Sequence, residues 1–184
     1  IVFVYVSEGI GCGVMFDGQI YRGRDYSAGE FGHMTVQTDG KKCYCGNFGC
    51  WETIASTEAI VNLATELGLE LKGSSNNEKY LNCLRSTDAS YEPLLREIER
   101  SLGVGIVNIV NSLDPEVVVL GGVASILPEL SLRNLVDFVN SRVLYATGQN
   151  VKVIRSMLHE KGMASSKMIG AALHIIDRKT VDLV

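Results

Sequence analysis

The sequence predicts an α/β fold with a partly parallel sheet. Short apolar runs such as "IVFVYV", "EVVVLGG" and "VKVIRS" alternate with longer stretches whose apolar residues recur at helical spacing. Strands separated in this way by helices line up side by side in one sheet. The 184 residues are 46% hydrophobic, enough for a packed core the size of one large domain or one lobe of a larger protein.

Residues 1–6 form the first strand. A fully apolar strand normally lies inside a sheet with partners on both sides. It has no initiator methionine or polar lead-in, so the chain is expected to be the later part of a longer protein. "SEGIGCG" and "VMFDGQIYRG" follow, and Asp17-Gly18 between apolar runs signals a two-residue type I′ hairpin. Residues 1–22 therefore read as three adjacent strands. Residues 23–51 are glycine-rich and polar, an extended loop with one helical turn expected at 29–32. Loops of this length are functional or held by something other than a core.

Ile60, Leu63, Ala64 and Leu67 mark a helix over 57–67, which Gly68 ends. "KGSSNNEK", residues 72–79, reads as a polar break. Leu94, Leu95, Ile98, Leu102, Ile106, Ile109 and Leu113 trace one face of a long helix. Gly103 and Gly105 within it indicate close helix packing, because no strand precedes them as a dinucleotide fingerprint requires. "DPEVVVLGGVASILPELSLRNLVDFVNSRV" reads as turn, buried strand, glycine pair and helix. A further strand, "VKVIRS", precedes a closing amphipathic helix, "MASSKMIGAALHIIDRK".

The net charge is −4 with no basic run, which argues against a nucleic-acid surface on these residues. No apolar run reaches the length of a membrane span, and no signal-peptide pattern is present. Three of the five cysteines fall within eight residues, a spacing that suits metal ligation in a reducing cytosol better than disulfides. A cytoplasmic protein is expected, with Cys12 and Cys83 as inert thiols.

The clustered residues lie in "GEFGHMTVQTDGKKCYCGNFGCWE". Cys43, Cys45 and Cys50 supply three thiolates and His33 an imidazole, a standard set for tetrahedral structural zinc. Gly46 and Gly49 let the backbone turn so that the sulfurs converge. With all four positions filled by protein, the metal would be structural and would leave no site for water. Glu30 lies one helical turn from His33, and Glu52 follows Cys50. The spacing of the two glutamates admits two readings: solvated loop charges, or acceptors that, beside a histidine N–H oriented by the metal, cage a polyol such as a sugar ring.

"AGEFGH" followed by "CYCGNFGCWE" closely resembles the ROK family of repressors, unassigned reading frames and sugar kinases. "GIGCGVMFDGQIYRG", the cysteine loop, "DPEVVVLGG" and the terminal helix also fall in the family's order. The resemblance implies an actin-like ATPase, sugar-kinase type (ribonuclease H-like) fold. Residues 1–184 would be its C-terminal lobe, residues 23–56 its sugar-contacting zinc loop, and the N-terminal lobe and any DNA-binding domain would lie outside this chain. Carried over by residue, His33, Cys43, Cys45 and Cys50 would hold zinc, and Glu30, His33 and Glu52 would bind sugar hydroxyls. Gly9, Gly11 and Gly13 match the second phosphate-binding turn, and Gly121 and Gly122 the segment that packs on adenosine. Family members are commonly dimers, so a homodimer is expected.

Two departures separate regulator from kinase. Family kinases carry a first phosphate loop and a catalytic aspartate upstream of the strand on which this chain opens. Neither lies in these residues, so the chain alone is not expected to phosphorylate a sugar or to need ATP and magnesium. Glu8 stands where the kinases usually have threonine. A carboxylate at ~4 Å from a phosphate charge, at an effective dielectric of about 20, is repelled by roughly 4 kcal/mol. "SEGIGCG" thus resembles the regulator branch, in which the fold senses sugar and an N-terminal domain binds DNA. The alternative is the C-terminal half of an ATP-dependent sugar kinase.

Overall fold

The structure, a computed structural model, describes residues 1–144 and 150–157. The closing helix read at "MASSKMIGAALHIIDRK" lies outside the described residues.

Among the described residues five strands form one sheet: β1 (Val2–Val6), β2 (Ile10–Phe16), β3 (Gln19–Ile20), β4 (Val117–Gly122) and β5 (Lys152–Arg155). Their order is β3-β2-β1-β4-β5, antiparallel across β1–β2 and β2–β3 and parallel across β1–β4 and β4–β5. The apolar β1 is the central strand, as its composition requires. Val2, Val4 and Val6 point into the core, while Phe3 and Tyr5 occupy the opposite face. Asp17 (φ 48°) and Gly18 (φ 78°) take the paired positive φ values of a type I′ turn, so Phe16 faces Gln19 across the hairpin.

Among the described residues five helices accompany the sheet: α1 (Glu52–Ala55), α2 (Thr57–Glu66), α3 (Asn76–Arg85), α4 (Glu92–Leu113) and α5 (Glu129–Asn140). Leu94, Ile98, Leu102, Ile106 and Ile109 of α4 are fully buried, and Leu95 and Leu113 flank this face half-buried. A side chain at Gly103 would collide with Phe138 of α5, and one at Gly105 with the indole of Trp51. Both glycines therefore serve close packing. The Trp51 indole is completely buried, and its Nε1–H donates to the Ser101 carbonyl at 2.8 Å. The end of the glycine-rich loop is in this way fastened to the longest helix.

Two local expectations are corrected. Residues 72–79 are a break only in their first half, because α3 starts at Asn76. Ser75 caps it by accepting the Glu78 N–H at 3.2 Å, and Tyr80, Cys83 and Leu84 form its buried face. Capping and one apolar stripe outweigh the polar composition. The helical turn in the long loop is a 3₁₀ turn at Phe31–His33 rather than at 29–32. No helix among the described residues is long and apolar enough to cross a membrane.

Candidate metal centre and ligand cleft

The loop between β3 and α1 folds back on itself. Isolated bridges pair Thr35 with Cys50 and Lys42 with Phe48. Cys43 N–H donates to the Asn47 carbonyl at 2.8 Å and Gly46 N–H to the Cys43 carbonyl at 3.0 Å, a tight turn in which Gly46 takes φ 95°. At Gly49 (φ 65°) any side chain would strike the Gln37 carbonyl. These turns bring together the four residues expected to hold metal.

The donor atoms of His33, Cys43, Cys45 and Cys50 all lie within 4.8 Å of one another. Cys45 and Cys50 sulfurs stand 3.7 Å apart, and Cys43 Sγ is 3.6 Å from His33 Nδ1. Tetrahedral zinc, with bonds of about 2.3 Å to sulfur and about 2.0 Å to nitrogen, spaces its donors by about 3.8 Å (S to S) and about 3.5 Å (S to N). Donor chemistry and spacing both fit such an ion. Cys50 is fully buried and its thiol is pushed up to about 12, whereas the Asn47 backbone N–H holds the exposed Cys45 below its ordinary value. Cys12 and Cys83 lie outside the cluster. Burial pushes their thiols up to about 12 and about 11.

Nδ1 faces the sulfurs, so the other ring nitrogen of His33, Nε2, faces outward. It lies 4.0 Å from Glu30 Oε2 and 3.1 Å from the hydroxyl of Tyr44. The Tyr44 ring meets the imidazole edge-on at 5.2 Å between centroids. The Glu52 carboxylate foremost holds the Tyr44 phenol above its usual pKa, so it remains an O–H group.

Glu52, at the start of α1, is only 7% exposed. Its Oε2 accepts the Ile10 backbone N–H at 2.9 Å, and a side chain at Gly9 would collide with that oxygen. Its Oε1 has the Cys43 sulfur at 3.9 Å, which as a thiolate on a metal offers no proton. Were Cys43 to ligate a metal as a thiolate, this oxygen would lose its one protein donor and would be open to a donor from a ligand.

Glu30, His33 and Glu52 do converge. With Glu8, Gly9 and Tyr44 they line a cleft of about 360 Å³. A second cleft of about 430 Å³, reaching Thr53 and Asn62, shares Glu8, Gly9, Tyr44 and Glu52 with the first. Of the expected phosphate-turn glycines, Gly9 lies in the turn between β1 and β2, while Gly11 and Gly13 lie within β2 opposite Tyr5 and Phe3. Gly121 and Gly122 end β4 beside Tyr5 and Val6, so the carboxyl ends of two parallel strands reach the edge that carries Gly9, the place where open α/β sheets bind ligands.

Two contributors escaped sequence reasoning. Asn77 of α3 donates to Ser7 Oγ at 3.0 Å and accepts from Thr57 Oγ1 at 3.0 Å, which ties the β1–β2 turn to α2. Nothing in its local sequence signals that contact. Tyr44 did carry a signal: between two cysteines that both turn inward, the middle side chain must project outward.

Comparison with known proteins follows this geometry. Residues 1–178 match the sequence profile of the ROK family. The xylose repressor of Bacillus subtilis is 31% identical over 182 residues, covering 98% of this chain and 46% of the repressor. A solved ROK family transcriptional regulator, a homolog of the Escherichia coli MLC protein, superimposes with a TM-score of 0.71 at 26% identity, over 84% of this chain and 41% of that one. A ROK family glucokinase from Streptomyces griseus, in complex with glucose and AMPPNP, gives a TM-score of 0.71 at 27% identity, over 85% of this chain and 55% of the glucokinase. The chain spans about half the length of these relatives.

Proposed function

Because the chain belongs to the ROK family, we propose that it is the sugar-sensing and dimerisation part of a cytoplasmic transcriptional regulator of carbohydrate metabolism, contacting DNA through a separate N-terminal domain. The observation that carries the sugar reading is Glu52: a buried carboxylate, aimed by the Ile10 N–H into a cleft that also holds Glu30 and His33, whose second oxygen has only the Cys43 sulfur beside it and would be free for a ligand once that sulfur held a metal. Sugar hydroxyls supply the missing donors. Zinc on His33, Cys43, Cys45 and Cys50 would hold the loop that presents Glu30 and His33 to that cleft.

The repressor identity of the relatives and the position of Glu8 favour regulator over kinase. Glu8 lies beside Gly9 in the turn where a triphosphate would sit, and it lines both clefts. The glucokinase likeness supports the second reading, the C-terminal half of a sugar kinase. In the full-length protein, Glu52→Gln should weaken sugar binding by roughly ten- to a hundredfold, the worth of a charge-assisted hydrogen bond, with zinc content unchanged. Unchanged affinity would remove the sugar reading, and sugar-dependent ATP turnover in the same preparation would convert the assignment to kinase.

A further inference from the structure

An exposed aromatic side chain on a loop normally moves freely. Tyr44 is 83% exposed, yet both its hydroxyl and its ring meet His33. Its chain neighbours on both sides, Cys43 and Cys45, belong to the metal set, and its hydroxyl sits 3.1 Å from the outer nitrogen of a third member, His33. With Nδ1 ligating a metal, Nε2 would carry the proton and donate to the Tyr44 oxygen. The hydroxyl's own hydrogen is then directed elsewhere. The sequence assigns the non-ligating nitrogen of His33 the task of donating to ligand, but that nitrogen already has the Tyr44 hydroxyl at 3.1 Å.

The geometry points to Tyr44 as a ligand-contacting residue that takes over the donor role expected of His33. This rests on the sugar reading of the cleft. The carboxylates of the first cleft, Glu8, Glu30 and Glu52, only accept hydrogen bonds when ionised, and the cationic donors Lys41 and Lys42 line only the second cleft. A sugar, however, brings acceptor oxygens as well as hydroxyl donors. The Tyr44 O–H, polarised by the His33 N–H behind it, answers those oxygens. Its exposed ring offers an apolar face to the ligand's C–H groups. Since Tyr44 and Glu52 line both clefts, a sugar ring held by them occupies the junction of the two.

Full-length protein is titrated calorimetrically with D-xylose, D-glucose and N-acetylglucosamine as probes, and bound zinc is measured in parallel. Tyr44→Phe removes only the hydroxyl and should raise the Kd for the binding probe about three- to tenfold. Tyr44→Ala also removes the ring and should weaken binding further, with one zinc per chain and an unaltered Tm in both variants. If Glu52→Gln weakens binding while Tyr44→Phe leaves it unchanged or tightens it, the Tyr44 role is overturned and the sugar reading stands. Loss of zinc from Tyr44→Phe would overturn it too, by making the residue structural. Failure of every probe to bind, or no effect of Glu52→Gln, would bring down the sugar reading and Tyr44 with it.

Discussion

The glycine-rich loop and helix α4 meet at Trp51, yet they are held by opposite means. Ten of the 22 residues of α4 are buried, most of them in an unbroken aliphatic face. Across residues 23–51 the buried side chains are Cys43, Cys50 and Trp51, two of them members of the metal set. The helix carries its own hydrophobic stabilisation; the loop has one fully buried apolar anchor at its end, Phe31, Met34 and Val36 half-buried against the core, and a ring of candidate metal donors in its middle. Burial roughly proportional to apolar area can order α4, but it cannot order a segment with so little area to bury. The proposed binding surface would therefore rest on the part of the molecule whose order depends most on ligation.

The largest effect expected from this contrast is loss of the metal. Structural zinc sites contribute about 10–16 kcal/mol of apparent binding energy, and here nearly all of it falls on the loop. Cys45→Ser removes an exposed ligand without opening a cavity in the core. Zinc measured by plasma mass spectrometry should drop from one per chain to none. Amides of residues 33–52 should exchange rapidly, while those of α4 and β1 keep their protection. Equal loss of protection in α4 would mean that the two regions are one cooperative unit and would break the comparison.

Trp51→Ala tests the joint between them. Removing a fully buried indole costs about 3–5 kcal/mol, and the Ser101 carbonyl loses its donor as well. Because the indole packs against Gly105 in the centre of α4, the loss should appear as a lower midpoint for the whole chain in urea unfolding. An unchanged midpoint with altered zinc affinity would instead make Trp51 part of the loop alone.

The same contrast explains what the sequence could reveal. Periodicity exposed β1, the hairpin, α2 and α4, because each buries an apolar stripe that the chain spells out at regular intervals. Spacing exposed the metal set, since ligand identity survives without any knowledge of tertiary contacts. The dependence of Glu52 on the Ile10 N–H, and of the β1–β2 turn on Asn77, spans 42 and 70 residues respectively. No local pattern encodes such contacts. Helix α3 was hidden for another reason: eight polar or small residues at its approach masked a Ser-x-x-Glu start at Ser75 and Glu78 whose signal was available.

That start yields the smallest predicted effect, and it concerns a segment held by neither mechanism alone. Glu78 Oε2 accepts the Ser74 backbone N–H at 2.8 Å and the Ser74 hydroxyl at 2.6 Å, and these bonds hold its carboxyl below the usual range. A carboxylate with a depressed folded pKa contributes stability that is fully present above its unfolded value, about 4.3, and is lost as pH falls through the folded pKa. Glu78→Gln should accordingly lower Tm slightly at pH 7, and the gap to wild type should narrow below pH ~4 as the native carboxyl takes up its proton. Both proteins release zinc in acid alike, so the difference between their melting curves isolates the carboxylate. A gap that stays constant down to pH ~3 would show that the side chain acts through packing, and α3 would then belong with α4 among the segments that apolar burial holds.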